Sequence, residues 1–272
     1  MQMRDTDKAF AGQVPEVYER YLVPLIFEAY AVDIAGRVAS RRPARTLEIA
    51  AGTGVVTRLL ANALPDDASI VATDLNQPML DRASAVGTSR PVTWRQADAQ
   101  QLPFEDGQFD AVVCQFGAMF FPDRPKAFAE ARRVLAPGGV LLFNVWDRIE
   151  ENEFAALVAD TLAEMFPADP PRFLARTPYG YYDRARIERD LRSGGFARSP
   201  GIDTQAERSR AASPRHPAIG LCQGSPMRSE IEAHGAGALS EATRMCEEAI
   251  ARRFGSGFVE AGIQAHVISI EV

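Results

Sequence analysis

Cysteine, histidine and long apolar runs are all scarce in this chain, and each scarcity closes off a class of protein. Three cysteines among 272 residues, Cys114, Cys222 and Cys246, are too few and too scattered for a disulfide framework, and no CxxC pair suggests zinc. That usage fits a reducing, cytoplasmic setting. The three histidines, His216, His234 and His266, lack metal-ligand spacing, and no cluster of Asp and Asn suggests a catalytic magnesium. The longest apolar run, GVLLFNVW at 139–146, has strand length, short of the roughly 18 residues a membrane span needs. The N-terminus lacks the apolar core of a secretory signal, so no membrane partner is expected. Basic residues do not gather either. The formal net charge is -6, and the Arg pairs at 41–42 and 132–133 are not runs. A nucleic-acid partner, which would show as a basic stripe, is not expected.

What is present is an alternation of short apolar runs with amphipathic stretches. Residues 13–39 carry Val17, Tyr21, Leu25, Phe27, Ala31, Ile34 and Val38 at helical spacing, with Pro15 at a helix start and Pro24 placed to kink or split the helix. Strands are predicted at 46–50, 69–74, 92–97, 109–114 and 140–145, and helices at 55–63, 77–85 and 125–135, the last ended by ProGlyGly at 137–139. Strands alternating with helices imply βαβ units. The fold class expected is α/β, a Rossmann-like doubly wound sheet, mostly parallel. QAHVISIEV at 264–272 alternates like a final antiparallel strand. One domain over 1–272 is expected, with a helical lid at 1–40 and a ligand-binding core at 41–146. Helical insertions at 147–182 and 205–252 would roof the C-terminal edge of the sheet, with a further strand near residue 202. Loops in that place are where substrate contacts are expected.

The stretch TLEIAAGTGVVT, 46–57, holds the first chemical signal: a strand ending near a carboxylate, then a glycine-rich turn, then a helix. One client of such a turn is a dinucleotide read by GxGxxG. Here Thr57 stands at the third glycine position, and Glu48 at the strand end disfavours a phosphate. An acid there suits a ligand with positive charge, such as an ammonium or sulfonium. Asp74 ends the next strand, 22 residues beyond Gly52, where a carboxylate accepts ribose hydroxyls. That feature serves NAD and other adenosine ligands alike. Asp98 follows the third strand, where it can accept from an adenine amine while the next N–H bonds the ring.

Four segments in order, LEIAAGTG, ATDLNQPML, ADAQQLPFEDGQFDAVVCQFGAMFF and EARRVLAPGGVLLF, resemble the class I S-adenosylmethionine-dependent methyltransferases. The likeness is to the small-molecule group that includes the ubiquinone/menaquinone-type enzymes, and it covers residues 40–146. It implies S-adenosyl-L-methionine as cofactor, S-adenosyl-L-homocysteine as product and a small-molecule methyl acceptor. It also implies roles. Glu48 sits near the methionine amino end, through water or directly. Ala50 and Gly52 present backbone to the methionine part, with Thr53 beside them. Asp74 takes the ribose hydroxyls, Leu75 and Met79 pack on the adenine, Asp98 accepts its amine and the Ala99 N–H bonds its ring. Gln115 touches the cofactor near its carboxylate or sulfur, and Tyr18 and Tyr21 close over the site. Ala50 and Ala51 depart from the usual Gly and small or Cys residue.

Methyl transfer from a sulfonium is an in-line displacement on an already activated electrophile, so positioning and desolvation supply most of the effect. A general base is needed only for a protonated acceptor. His216, after Pro214 in an expected substrate loop, is the one catalytic candidate retained. His266 reads as structural. Phe116, Met119, Phe120 and Phe121 follow the fourth strand as core or as an apolar pocket wall. Two alternatives stay open: an NAD-dependent oxidoreductase, and a non-catalytic S-adenosylmethionine-binding regulatory protein on the same fold.

Overall fold

Seven strands hydrogen-bond into one sheet, and their order decides where a ligand can enter. The computed structural model describes residues 4–272, so the first three residues of the expected lid lie outside the described residues. A 3-10 turn, Asp5–Lys8, leads into α1 (Val14–Val17), a π-helical segment (Tyr18–Phe27) and α2 (Glu28–Ser40). The core alternates β1 (Arg45–Ile49), α3 (Val55–Ala63), β2 (Ser69–Asp74), α4 (Gln77–Val86), β3 (Thr93–Gln96), β4 (Phe109–Gln115), α5 (Arg124–Val134) and β5 (Leu135–Trp146). Then come α6 (Glu153–Met165), α7 (Phe173–Arg176), α8 (Arg184–Ser193) and β6 (Gly201–Ala211). The chain ends with α9 (Arg215–Gln223), α10 (Met227–Glu232), α11 (Ala238–Phe254) and β7 (Val259–Glu271). Among the described residues no helix is long and apolar enough to cross a membrane.

The strand order is β3-β2-β1-β4-β5-β7-β6. β1 to β5 run parallel, while β7 is antiparallel to both β5 and β6. The Rossmann-like sheet with its antiparallel final strand is therefore as expected. The winding reverses between β1 and β4, which opens a crevice beyond the C-terminal ends of those two strands. β4 is buried on both faces, which is why FDAVVCQ reads as an almost continuous apolar run. Leu47, Ile49, Val112 and Cys114 join the larger core on one face. Ala111, Val113 and Ile70 pack with Ile34, Val56 and Leu60 on the other.

Two differences from the sequence reading have plain causes. The ProGlyGly expected to separate helix from strand lies inside β5, where the pairing with β4 shifts register and Gly138 takes a positive φ of 79°. Residues 136–139 thus stand opposite the single residue Asp110, an irregularity that loops out extra residues without ending the strand. Residues 205–211, assigned to the second insertion, belong to β6 instead, paired with β7 along the whole of Gly201–Ala211. β6 is an edge strand whose DTQAERSR stretch is largely exposed, so it carries no apolar alternation, and such charge is how edges are protected. The helical part of that insertion starts at α9.

Candidate functional site

The turn after β1 is built from backbone that L-residues avoid. Ala50, Gly52 and Gly54 all have positive φ, 55°, 57° and 84°. For Ala50 the left-handed region costs roughly 1–2 kcal/mol, strain of the kind that gathers at functional sites. Gly54 caps α3, and a Cβ there would come within 3.0 Å of the Trp94 ring. Gly52 faces Met79 Cε and Tyr18 Oη across a cavity at the switch point. The cavity holds about 1300 Å³ of empty space, open solvent at its mouth included. A drug-sized ligand uses roughly 300–1,000 Å³, so there is room for a nucleoside cofactor and a second small molecule.

One half of the cavity is polar and holds most residues singled out from sequence. Ala50, Gly52, Asp74, Leu75, Met79, Asp98, Ala99 and Gln115 all line it. The Asp74 carboxylate accepts from the Gly52 N–H at 2.9 Å and the Asn76 N–H at 2.8 Å. Burial pushes its pKa up, while these amide bonds pull it back. Asp98 accepts from the Gln100 N–H at 2.8 Å. Leu75 is 43% exposed, an open apolar shelf. Gln115 donates to the Phe27 carbonyl at 3.4 Å, and its Oε1 is buried without a partner. An orphaned acceptor on a cavity wall asks for a donor. Two carboxylates, exposed aliphatic surface and that free acceptor fit hydroxyls, an adenine and an ammonium together.

The other half is aromatic. Phe27, Phe116, Phe120, Phe121 and Trp146 line it with Phe173, Tyr179, Leu221 and Ser225. Phe116, Phe120 and Phe121 are thus wall, whereas Met119 is fully buried core. α7 and the turn after it supply Phe173 and Tyr179, and α9 supplies Leu221. Both helical insertions therefore reach the cavity. Trp146, Phe173 and Leu221 lay outside the sequence reading, because only the fold brings them to β1.

Four sequence candidates do not border the cavity. Glu48, 1% exposed, alternates away from it toward α3, where its Oε2 accepts from Thr57 Oγ1. Burial pushes its carboxyl up to about 8, against the Thr57 bond and the Arg58 charge, and Asp74 adds to the rise. Thr53 is buried behind the turn, its hydroxyl unpartnered. Tyr21 stands instead against His216, ring centroids 5.7 Å apart. His216 bonds Ser213 Oγ at 2.9 Å and is likewise outside. His266 is buried between Thr204 Oγ1 and Asp147, the structural role expected of it. Among the described residues no histidine lines the cavity.

Helix winding explains Tyr21. Both Tyr18 and Tyr21 are expected from sequence to close over the site, and in an α-helix residues three apart share a face. Tyr18–Phe27 is π-wound, its last turn closed by the Glu28 N–H donating to the Val23 carbonyl. Nine residues make about two and a half turns of an α-helix and would set Tyr18 and Phe27 on opposite sides. In the wider i→i+5 winding they share a side, and their rings stack at 4.9 Å. Tyr18 enters the cavity, where burial and the nearby Asp74 charge raise its pKa, and Tyr21 rotates out. Arg58 fastens the segment to the turn, donating to Glu19 at 2.9 Å and to the Thr53 carbonyl at 2.7 Å.

Lys8 and Phe10 also line the cavity, on a strap formed by residues 5–12. Asp7, 1% exposed, accepts from Arg176 Nε at 2.9 Å and Thr177 Oγ1 at 2.8 Å. Burial alone would raise Asp7, but these bonds outweigh it and hold its carboxyl below the usual range. Arg176 also pairs with Glu230 of α10. Nothing in the sequence linked positions so far apart.

Comparison with known proteins adds an independent line. Residues 47–143 match a methyltransferase domain model. The ubiquinone/menaquinone biosynthesis C-methyltransferase UbiE of Ectopseudomonas mendocina is 31% identical over 187 residues, which is 64% of this chain and 72% of that protein. The demethylmenaquinone methyltransferase of Thermus thermophilus is 43% identical over 114 residues, 41% of this chain and 50% of that protein. Among solved structures, the Haemonchus contortus phosphoethanolamine N-methyltransferase 2, in complex with S-adenosylhomocysteine, aligns with a TM-score of 0.59 at 18% identity, over 100% of this chain and 60% of that one. The YcgJ protein of Bacillus subtilis aligns with a TM-score of 0.55 at 17% identity, over 88% and 97%. The oxidoreductase and regulatory alternatives find no support among them.

Proposed function

The chain belongs to the class I S-adenosylmethionine-dependent methyltransferases, and from that premise we propose that it methylates a small, largely apolar molecule held in the aromatic half of the cavity. The carrying observation is one cavity whose lining holds two chemistries, the polar groups of Asp74, Asp98 and Gln115 and the aromatic rings of Phe27, Phe116, Phe120, Phe121 and Trp146. In this reading Asp74 accepts the ribose hydroxyls, Leu75 and Met79 flank the adenine, and Asp98 with the Ala99 N–H reads its edge. The backbone of Ala50 and Gly52 and the free Oε1 of Gln115 hold the methionine end. Glu48, turned to Thr57, acts by shaping the turn, and of the two tyrosines expected to close over the site Tyr18 alone takes that role.

When bound, S-adenosylmethionine supplies a sulfonium methyl that passes to an acceptor O, N or C atom. The protein's contribution is placement and water exclusion. Tyr18, Phe27 and Trp146 wall off solvent, and the strap at residues 5–12 closes the mouth. Among the described residues the charged side chains lining the cavity are Lys8, Asp74 and Asp98, and with both carboxylates given to the cofactor no histidine or carboxylate is left as a base for the acceptor. Burial pushes the Tyr179 phenol upward, which keeps it a hydroxyl donor. An acceptor that reacts without losing a proton to the protein suits such a chamber. The segment 4–40 then serves as lid, 41–146 as cofactor core, and 147–182 with 212–252 as acceptor cap. The proposal includes a cytoplasmic location, suited to three unbridged cysteines, and no nucleic-acid partner. Release of S-adenosylhomocysteine across a panel of apolar acceptors is the test. Turnover confined to charged or polymeric acceptors overturns the reading.

A further inference from the structure

Phe116 holds a backbone conformation that its side chain opposes. It directly follows β4 with a φ of 49°, a region bulky residues rarely enter. Strain of this kind persists only where the surroundings over-determine it. Here Asn144 grips the backbone directly. The Phe116 N–H donates to Asn144 twice, to its carbonyl at 3.2 Å and to its Oδ1 at 3.0 Å. Asn144 is fully buried in β5 between Phe143 and Val145. Its Nδ2 has no partner, and a half-satisfied amide in a core is a cost. Packing alone would favour an aliphatic residue at this position.

The gain lies on the cavity side. With Phe116 left-handed, its ring lies parallel to Trp146, centroids 3.8 Å apart at 8°. Tyr30 meets both rings edge-on at 5.4 Å. The next residue has no freedom to compensate. A Cβ on Gly117 would come within 2.5 Å of Ala50 Cβ and 2.7 Å of Cys114 Sγ, so the chain is already pressed against the cofactor turn. We propose that Asn144 is a positioning residue for the methyl acceptor: by holding Phe116 left-handed it sets the Phe116–Trp146 stack as the wall on which a flat, uncharged acceptor lies. Asn144 does not line the cavity and acts through Phe116. The inference rests on reading the cavity as a cofactor chamber joined to an acceptor chamber.

A cycle of Asn144→Leu, Phe116→Gly and the double variant tests it, with 2-naphthol as a neutral, flat probe. Binding is read by tryptophan fluorescence on protein saturated with S-adenosylhomocysteine, and the ring stack by near-ultraviolet circular dichroism. Asn144→Leu should keep its affinity for S-adenosylhomocysteine, lose the dichroic signal of the stack and bind 2-naphthol roughly tenfold more weakly. In the Phe116→Gly background it should add no further loss, because glycine enters the left-handed region unaided. Unchanged naphthol binding in Asn144→Leu, or an equal added loss in both backgrounds, overturns the proposal, as does absence of naphthol binding by the wild type. If Asn144→Leu fails to fold, Asn144→Asp must match the wild type, since it keeps the accepting oxygen, while Phe116→Gly alone loses the probe; the opposite pattern overturns it. Failure of the wild type to bind S-adenosylhomocysteine would instead overturn the functional reading.

Discussion

Replacing Glu48 by Gln should change how stability depends on pH, in a direction set by burial. Glu48 is 1% exposed and its carboxyl is raised from 4.5 to about 8. The folded protein therefore holds this proton more tightly than the unfolded chain does. Below pH 4.5 both states are protonated and burial carries no ionic penalty. As pH rises toward 8 the unfolded chain releases the proton and the folded protein resists, so stability falls. Above 8 the penalty is complete. A gap of about 3.5 pH units, at about 1.4 kcal/mol each, caps it near 5 kcal/mol. Relaxation around Thr57 and Arg58 will leave less. Gln mimics the protonated acid, since its oxygen can still accept from Thr57 Oγ1, and it never ionises. Urea unfolding of both proteins, followed by tryptophan fluorescence from pH 5 to pH 9, isolates the effect, because titrating groups that do not interact with Glu48 cancel in the difference. The Glu48→Gln protein should gain on the wild type by at least about 2 kcal/mol across that range. Parallel curves, or a wild type that gains on the variant as pH rises, would refute the reasoning and return Glu48 to an ionised role facing the ligand.

Asp74→Ala removes the ribose acceptor and the partner of the Gly52 and Asn76 amides; calorimetry should show S-adenosylhomocysteine affinity weakened by about 1–3 kcal/mol. Tyr18→Ala should weaken the same binding, whereas Tyr21→Ala and His216→Ala should leave it unchanged, since neither side chain lines the cavity. Asp7→Ala unlatches the strap. Arg176 keeps Glu230, so the stability loss should fall below the 3–5 kcal/mol of a fully broken buried pair, while stopped-flow measurement should show faster cofactor release.

Much of the fold was legible because its signals are local. Helix 55–63 and strand 69–74 stand where their patterning put them, and the glycine turn, Asp74 and Asp98 fall on one cavity because the βαβ order puts strand ends together. The misses are equally physical. β6 is an edge strand with exposed charges, so the period-two signal that marks a buried strand is absent. A π-helix has the same composition as an α-helix, and only its winding sends Tyr18 inward and Tyr21 outward. Glu48 follows strand alternation, which sequence gives, but the face it meets depends on where α3 packs. The Asp7–Arg176 latch and the aromatic wall from Trp146, Phe173 and Leu221 are long-range meetings that no local pattern encodes.

Calorimetric titration of the purified protein with S-adenosylhomocysteine, with NAD in a parallel cell, tests the central claim most directly. Saturable, micromolar binding of S-adenosylhomocysteine and no heat from NAD is the expected result. No binding at millimolar S-adenosylhomocysteine, or binding of NAD alone, would contradict the assignment of the turn at residues 50–54 to a sulfonium cofactor.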